Sequence, residues 1–370
     1  MKSRHISYEP VDVISDRHKA ILNNFLKGQT SYIIFSSTLG WTIKENGHLG
    51  MYRANASGIR SNKEYELTPP HNVFRISTFG DSYTHCDNVR NDETWQVLLE
   101  KLDARLEVLN FGVGGFGLDQ AYLRYLEHGS QFKPHLVFIG YMSENIFRHV
   151  NTFRPFYYAD TGTPLAKPRF AVRDEKLSLI PNMFSKLSDY NVLLSEPKKT
   201  LSKIGVNDYY YSNRYSASVF DFSPTIRLIK ITAKEINARF VERILINDHY
   251  NEMSEAFKVT KKLFDEFYAC VIRNNSIPVI LIFPDRDDIH RHRLKKTKRY
   301  FPLLSYFDSK GYQYIDLIDA FNKVGEDYAL EDLFVSGHYS AISNKLVAIH
   351  IHTYLSGKGL RPPDNSNFTG

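Results

Sequence analysis

The sequence predicts an α/β fold: a three-layer α/β/α sandwich around a five-stranded parallel sheet. From Val73 onward, short runs of β-compatible residues alternate with helical stretches, the rhythm of consecutive β-α-β units. The stretch 92–105 carries Trp95, Leu98, Leu99 and Leu102 at helical spacing, which supplies one apolar face. After a looser middle region the rhythm returns, and strands at 278–284 and 312–317 complete a set of five with those at 73–79, 107–111 and 136–140. At 42% hydrophobic residues the chain has ample material for a core. Its 370 residues fit a single α/β domain with insertions.

Residues 1–72 read as an N-terminal appendage packed on the main domain. A helix is expected at Asp16–Lys27, and the Gly, Asn and Pro spacing up to Pro69-Pro70 predicts short extended pieces joined by turns. The main domain spans 73–356, with helices at 92–105 and 117–128 between its first three strands. About residues 150–250 form an insertion rich in Tyr, Phe, Pro and Lys, read as a specificity element. Within it, 168–179 predicts a hairpin turning at Asp174-Glu175. A long amphipathic helix at 252–274 buries Phe257, Leu263, Phe264, Phe267 and Val271. A polar, basic helix then runs to Gly311 between the last two strands. A loop at 331–339, a final helix at 341–355 and a tail at 357–370 close the chain.

Charge and composition exclude several classes. The net charge of +6 arises from 47 basic residues spread among 41 acidic ones, and only Arg286–Arg299 is densely basic. Without an accompanying nucleic-acid motif that run reads as a solvated face, so no nucleic-acid partner is expected. Cys86 and Cys270, the only cysteines, are too few for a disulfide framework or a zinc site. The N-terminus lacks a secretory signal, and Ser31–Gly40 is far short of a membrane span; the expectation is a cytoplasmic protein with no membrane partner. Oligomeric state is left open. His290-Arg291-His292 has no partners at metal-ligand spacing, and His350 and His352, two apart in a helix, lie on different faces.

The chemistry gathers at the ends of predicted strands. Phe79-Gly80-Asp81-Ser82-Tyr83-Thr84 ends the first, placing a serine at the carboxyl mouth of the sheet, where ligands bind in open α/β folds. Asn110-Phe111-Gly112-Val113-Gly114-Gly115 ends the second, Gly140-Tyr141-Met142-Ser143-Glu144-Asn145 follows the third, and Gly337-His338-Tyr339-Ser340 precedes the last helix. A lone Gly-Asp-Ser-Tyr is ordinary turn chemistry. Four such pieces in this order are much less common by chance.

Together they resemble the signature blocks of the SGNH hydrolases, also called the GDSL esterase/lipase family, over about residues 73–150 and 250–355. The resemblance implies a flavodoxin-like sheet, Ser82 as nucleophile and His338 as base. It also implies an oxyanion hole from the N–H groups of Ser82 and Gly115, with Gly114 as the alternative, and the side chain of Asn145. No metal or organic cofactor is implied. The family usually carries Asp three residues before the histidine, and some relatives two; here those positions hold Val335 and Ser336. Asp332 is therefore the expected third member of the triad, with Ser336 or a backbone carbonyl as alternatives.

A serine hydroxyl needs a base within hydrogen-bond reach, and attack on an ester carbonyl creates an oxyanion that backbone and amide donors stabilise. The expected activity is hydrolysis of an O-acyl ester, above all O-acetyl, of a carbohydrate or polar metabolite. The carbohydrate preference follows the resemblance to extended family members and the aromatic insertion. The alternatives are acyl transfer to a sugar hydroxyl, decided by water exclusion, and a catalytically silent carbohydrate-binding protein of the same fold.

Overall fold

Five strands form one all-parallel sheet in the computed structural model, which describes residues 13–214, 243–322 and 327–360. They are β1 (Phe74–Phe79), β2 (Leu106–Asn110), β3 (Leu136–Met142), β4 (Ile277–Phe283) and β5 (Tyr314–Asp316). Their order across the sheet is β2-β1-β3-β4-β5, and every pairing is parallel. The chain leaves β1 in one direction to lay down β2, then crosses to the other side for β3, β4 and β5. That reversal makes the carboxyl ends of β1 and β3 the point where a crevice opens in a doubly wound sheet.

The helices around the sheet are α1 (Ser82–His85), α2 (Trp95–Leu102), α3 (Leu118–Arg124), α4 (Glu255–Arg273), α5 (Arg286–Lys295), α6 (Phe301–Lys310), α7 (Ile318–Asn322) and α8 (Ala341–Lys358). β3 is buried at all seven positions because both faces of the sheet are covered. On one face Ile76, Val108, Phe138 and Leu281 pack in a cluster with Trp95 and Leu99 of α2 and Val347, Ile351 and Leu355 of α8. On the other, the Phe79 ring stacks on Phe111 at 4.7 Å and meets Tyr125 edge-on, while Tyr141 meets Phe264 at 5.5 Å. The expected three layers are present.

Local chemistry sets the helix ends. Thr94 caps α2 by accepting from the Val97 N–H, and Ser340 caps α8 by accepting from the Ser343 N–H. The single basic helix expected up to Gly311 is two helices. α5 stops at Lys296, which is left-handed, and α6 restarts with Pro302 in its first turn. Much of the basic run is paired: Arg286 with Glu331 at 2.6 Å, Lys298 with Asp316 at 2.7 Å and Arg299 with Asp288 at 2.6 Å.

The chain divides into two compact units, Met1–Thr42 with Ile146–Lys262 and Ile43–Asn145 with Leu263–Gly370. In the first, Ser15 caps the helix Asp16–Leu26, and the hairpin Arg169–Arg173/Lys176–Ile180 turns on Asp174 and Glu175, both at positive φ. Many of its aromatic residues fill its own core: Phe153, Phe156 and Tyr190 are fully buried, and Tyr190 packs on Phe35 and Phe184. Much of the aromatic surplus read as a specificity surface is therefore core. The stretch 215–242 of the insertion and residues 361–370 of the expected tail lie outside the described residues.

The second unit holds the sheet together with residues 43–72, which the sequence reading assigned to the appendage. Arg60 is the reason: its buried guanidinium donates to the carbonyls of His85, Cys86 and Val89, and its backbone N–H to the Asn110 carbonyl. Among the described residues no helix is long and apolar enough to cross a membrane. Cys86 and Cys270 are buried and unbridged.

One packing constraint positions the end of β1. α1 lies so close to the neighbouring strand ends that a Cβ at Gly112 would sit 2.3 Å from the His85 nitrogen and 2.6 Å from the Thr84 carbonyl carbon. Gly112→Ala is expected to lower the unfolding free energy by about 3 kcal/mol, because backbone rather than a mobile side chain must give way. Gly357 in α8 faces open space, and Gly357→Ala should raise stability by about 0.5–1 kcal/mol. Urea unfolding of the two variants measures the contrast.

Candidate active site

Ser82 is the first residue of α1, a single turn at the carboxyl end of β1. Asp81 caps that turn: its carboxylate accepts from the Tyr83 N–H at 2.9 Å. Cys86, in the left-handed region, ends the turn, and the Asp87 N–H returns to the Ser82 carbonyl at 2.9 Å. The chain thus folds back at once, and Asp87 and Asn88 follow α1 directly.

The loops after β2 and β3 supply the other expected groups. Asn110 Oδ1 accepts from the Gly112 N–H, and the Val113 N–H donates to the Gly80 carbonyl at 3.0 Å, tying this loop to the nucleophile segment. Gly115 has φ of +80° at the third position of a turn closed by the Phe116 N–H on the Val113 carbonyl, a position that favours glycine. Beyond β3 the Ser143 hydroxyl donates to the Asp288 carboxyl, holding the segment that leads to Asn145. Asn145 is 1% exposed, and neither atom of its side-chain amide has a hydrogen-bond partner among the described residues. A buried amide left unsatisfied costs about 1–3 kcal/mol per group, so its retention here points to a ligand oxygen as the missing acceptor.

His338 sits on a tight hairpin, Phe334–Val335 paired with His338–Tyr339, that turns on Ser336 and Gly337 at φ of 48° and 89°. The hairpin is anchored from the Ser82 segment. The Tyr83 hydroxyl donates to the Gly337 carbonyl at 3.0 Å, and the Tyr83 ring lies 5.6 Å from the His338 ring and 4.7 Å from that of Tyr339. Tyr339 in turn donates to the Pro284 carbonyl.

The expected acid is corrected. Asp332 is exposed, accepts from the Ala329 N–H at 3.2 Å and makes neither a hydrogen bond nor an ion pair with His338. It closes the turn before the hairpin, whereas the hairpin's own pairing carries His338 away from it. Ser336 occupies the exposed turn and makes no hydrogen bond to the ring. His338 Nδ1 instead lies 3.0 Å from Nδ2 of Asn88, and that same nitrogen donates to the Val335 carbonyl at 2.9 Å. The nearest carboxylate is Asp87, with Oδ2 3.9 Å from Nε2. Sequence reasoning passed over both residues. The available signal was turn chemistry, since an Asp-Asn pair directly after a four-residue helix marks a chain reversal.

Electrostatics separate the two histidines of the site. His85 is buried against Arg60 and hydrogen-bonded to Asp87. Burial pushes its pKa down to about 4, with Arg60 adding to the effect and Asp87 opposing it, so the ring is neutral at physiological pH. Burial pushes the Asp87 carboxyl up, but His85, His338 and Arg60 outweigh that and hold it below the usual carboxylate range. Asp288, behind Ser143, is pushed up to about 7 by burial and by the neighbouring Asp285. Among the described residues no cluster of three or more His, Cys, Asp or Glu is placed to hold a metal ion.

Two substitutions separate the anchoring groups from the bystander. Tyr83→Phe removes the bond to Gly337 and is expected to cost about 1 kcal/mol of stability and to slow labelling of Ser82 by a fluorophosphonate probe. Asp332→Asn is expected to leave the labelling rate within about two-fold of wild type, because surface substitutions away from such contacts are nearly neutral.

No family model and no curated protein matches the chain. Similar solved structures include a member of the lipolytic protein G-D-S-L family from Veillonella parvula (11% identity, TM-score 0.36, covering 76% of this chain and 98% of that one). An alpha/beta hydrolase enzyme from the metagenome of Lake Arreo is similar at 12% identity and a TM-score of 0.40, over 77% of this chain and 94% of that one. A catalytic mutant of an acetylxylan esterase from Geobacillus stearothermophilus is similar at 11% identity and a TM-score of 0.39, over 79% and 96%. The chain has the five-stranded α/β/α fold that its resemblance to the SGNH hydrolases implies, with blocks ending β1, β2 and β3 and a histidine on the hairpin before the last helix.

Proposed function

We propose that the chain is an SGNH-type serine esterase that hydrolyses an O-acyl ester, above all an O-acetyl ester of a carbohydrate or similar polar metabolite, through an acyl-Ser82 intermediate. The observation that carries this reading is the Asn145 amide, buried and without a partner among the described residues, on the segment that follows β3 beside the end of β1. An amide so placed is a donor prepared for an oxygen that becomes negative only during reaction.

In the proposed reaction the Ser82 hydroxyl attacks the acyl carbonyl and its proton passes to His338. The carbonyl oxygen takes the negative charge and meets the N–H groups of Ser82 and Gly115 and the Asn145 amide, each such donor contributing about 3–4 kcal/mol. Collapse of the adduct breaks the ester bond, and the departing alcohol takes the proton from His338. Water then attacks the acyl-serine by the same route and releases the acid. A polar alcohol is favoured because Asp87, Asn88 and His338, all partly exposed, are polar.

Purified protein is expected to release nitrophenol from p-nitrophenyl acetate, and Ser82→Ala to abolish it; activity that survives this substitution removes Ser82 as nucleophile. Asn145→Ala is expected to lower kcat about 100- to 1000-fold with little change in KM, the signature of a contact made in the transition state. Mass spectrometry of the products with a glycan acceptor present separates hydrolysis from transfer.

A further inference from the structure

Asn88 lies beside His338 Nδ1, the ring nitrogen that the carboxylate of a Ser-His-Asp triad meets, and its surroundings dictate how it is used. The residue is in the left-handed region at φ of 70°, which asparagine tolerates better than most residues. Its backbone N–H donates to the Tyr52 hydroxyl at 2.8 Å. Its side-chain nitrogen donates one hydrogen to the Val335 carbonyl at 2.9 Å. A carbonyl only accepts, so this bond decides which end of the amide faces the hairpin. The second hydrogen on the same nitrogen is directed at His338 Nδ1, 3.0 Å away.

We propose that Asn88 is the positioning residue for His338 and that it holds the neutral ring with Nδ1 as acceptor and the proton on Nε2. The inference rests on the serine esterase reading for its consequence and on the hydrogen-bond geometry for its substance. Which ring nitrogen carries the proton is set by the bond the other one makes. A triad carboxylate accepts from Nδ1–H and leaves Nε2 free to take the serine proton; an amide nitrogen does the reverse. In a Ser-His-Asp enzyme, changing the acid to Asn keeps the geometry but lowers kcat about 10⁴-fold through the wrong tautomer. The Ser82–His338 pair is accordingly held below its capacity. Before Nε2 can accept a proton, the amide must turn its oxygen to Nδ1 and give up the Val335 bond.

The test reads the tautomer directly. In wild-type protein labelled with ¹⁵N-histidine, the His338 signals, identified among 14 histidines by their loss in His338→Gln, are expected to show a pyridine-type Nδ1 and a pyrrole-type Nε2. Asn88→Asp is expected to exchange the two types and to accelerate fluorophosphonate labelling of Ser82 at least about ten-fold. A pyrrole-type Nδ1 in the wild-type spectrum overturns the proposal, and this measurement decides even if Asn88→Asp does not fold. A folded Asn88→Asp protein whose tautomer has switched but whose labelling rate is unchanged overturns the claim that Asn88 limits the base. Absence of Ser82 labelling in both proteins, with a pyridine-type Nδ1 in the wild type, leaves the assignment standing and overturns the esterase reading instead.

Discussion

The structure depends on the close approach of one helical turn to three strand ends. Thr84 and His85 of α1 lie where side chains at Gly80, Gly112 and Gly140 would otherwise be, and these glycines end or follow β1, β2 and β3 or lie within them. A Cβ at Gly80 or Gly140 would fall within about 2 Å of the Thr84 hydroxyl (2.1 and 2.2 Å), and one at Gly112 would enter the backbone itself. With α1 seated in this way, Ser82 is held at the carboxyl edge and close to the loop after β2, which bonds back to Gly80. The same glycines that read as turn-formers in the sequence serve as contact surfaces in the fold.

A second constraint acts from behind. Arg60 brings a charge into the interior, and a buried cation must find acceptors. It finds the carbonyls of His85, Cys86 and Val89, together with Asn91 Oδ1. Those carbonyls belong to the segment that turns back after α1, so the guanidinium fixes the course of the chain through Asp87 and Asn88. Tyr52 lies against Arg60 at 4.6 Å and against His85 at 5.1 Å while accepting from the Asn88 N–H. Burial, with Arg60 adding to it, keeps His85 neutral, and the Asp87 carboxylate lies between the two rings, bonded to His85 and 3.9 Å from His338 Nε2. Residues 43–72 therefore belong with the sheet and the candidate site.

Legibility in the sequence followed the range of the interactions. The five strands were readable because each is a run of apolar residues bounded by turn chemistry, and the observed bounds differ from expectation by one or two residues at most ends. The hairpin at Asp174-Glu175 was readable for the same local reason. The basic helix was misread as continuous because its pattern stays polar through Lys296, and polarity does not report a left-handed residue. Asp332 was chosen by proximity in sequence to His338. That rule fails across a two-residue hairpin, whose pairing sets direction more strongly than chain distance.

The two halves of the site differ in the same respect. The half proposed as the oxyanion hole is built from residues next to strand ends: Gly115 in its turn, Asn145 after β3 and the first N–H of α1. The half that holds the proposed base is joined to the Ser82 segment by bonds between residues 254 and 250 apart in the chain, Tyr83 to Gly337 and Asn88 to His338. No periodicity or motif reports such pairs. The first of them places the imidazole and the second orients it. A single acceptor, the Val335 carbonyl, determines which atom of Asn88 the ring meets. An amide and a carboxylate have nearly the same shape, and the Tyr83 bond to Gly337 places His338 with either one, although only the amide can donate to Val335. What changes between them is the nitrogen that carries the proton, and this makes position 88 a control of rate that leaves the architecture of the site intact.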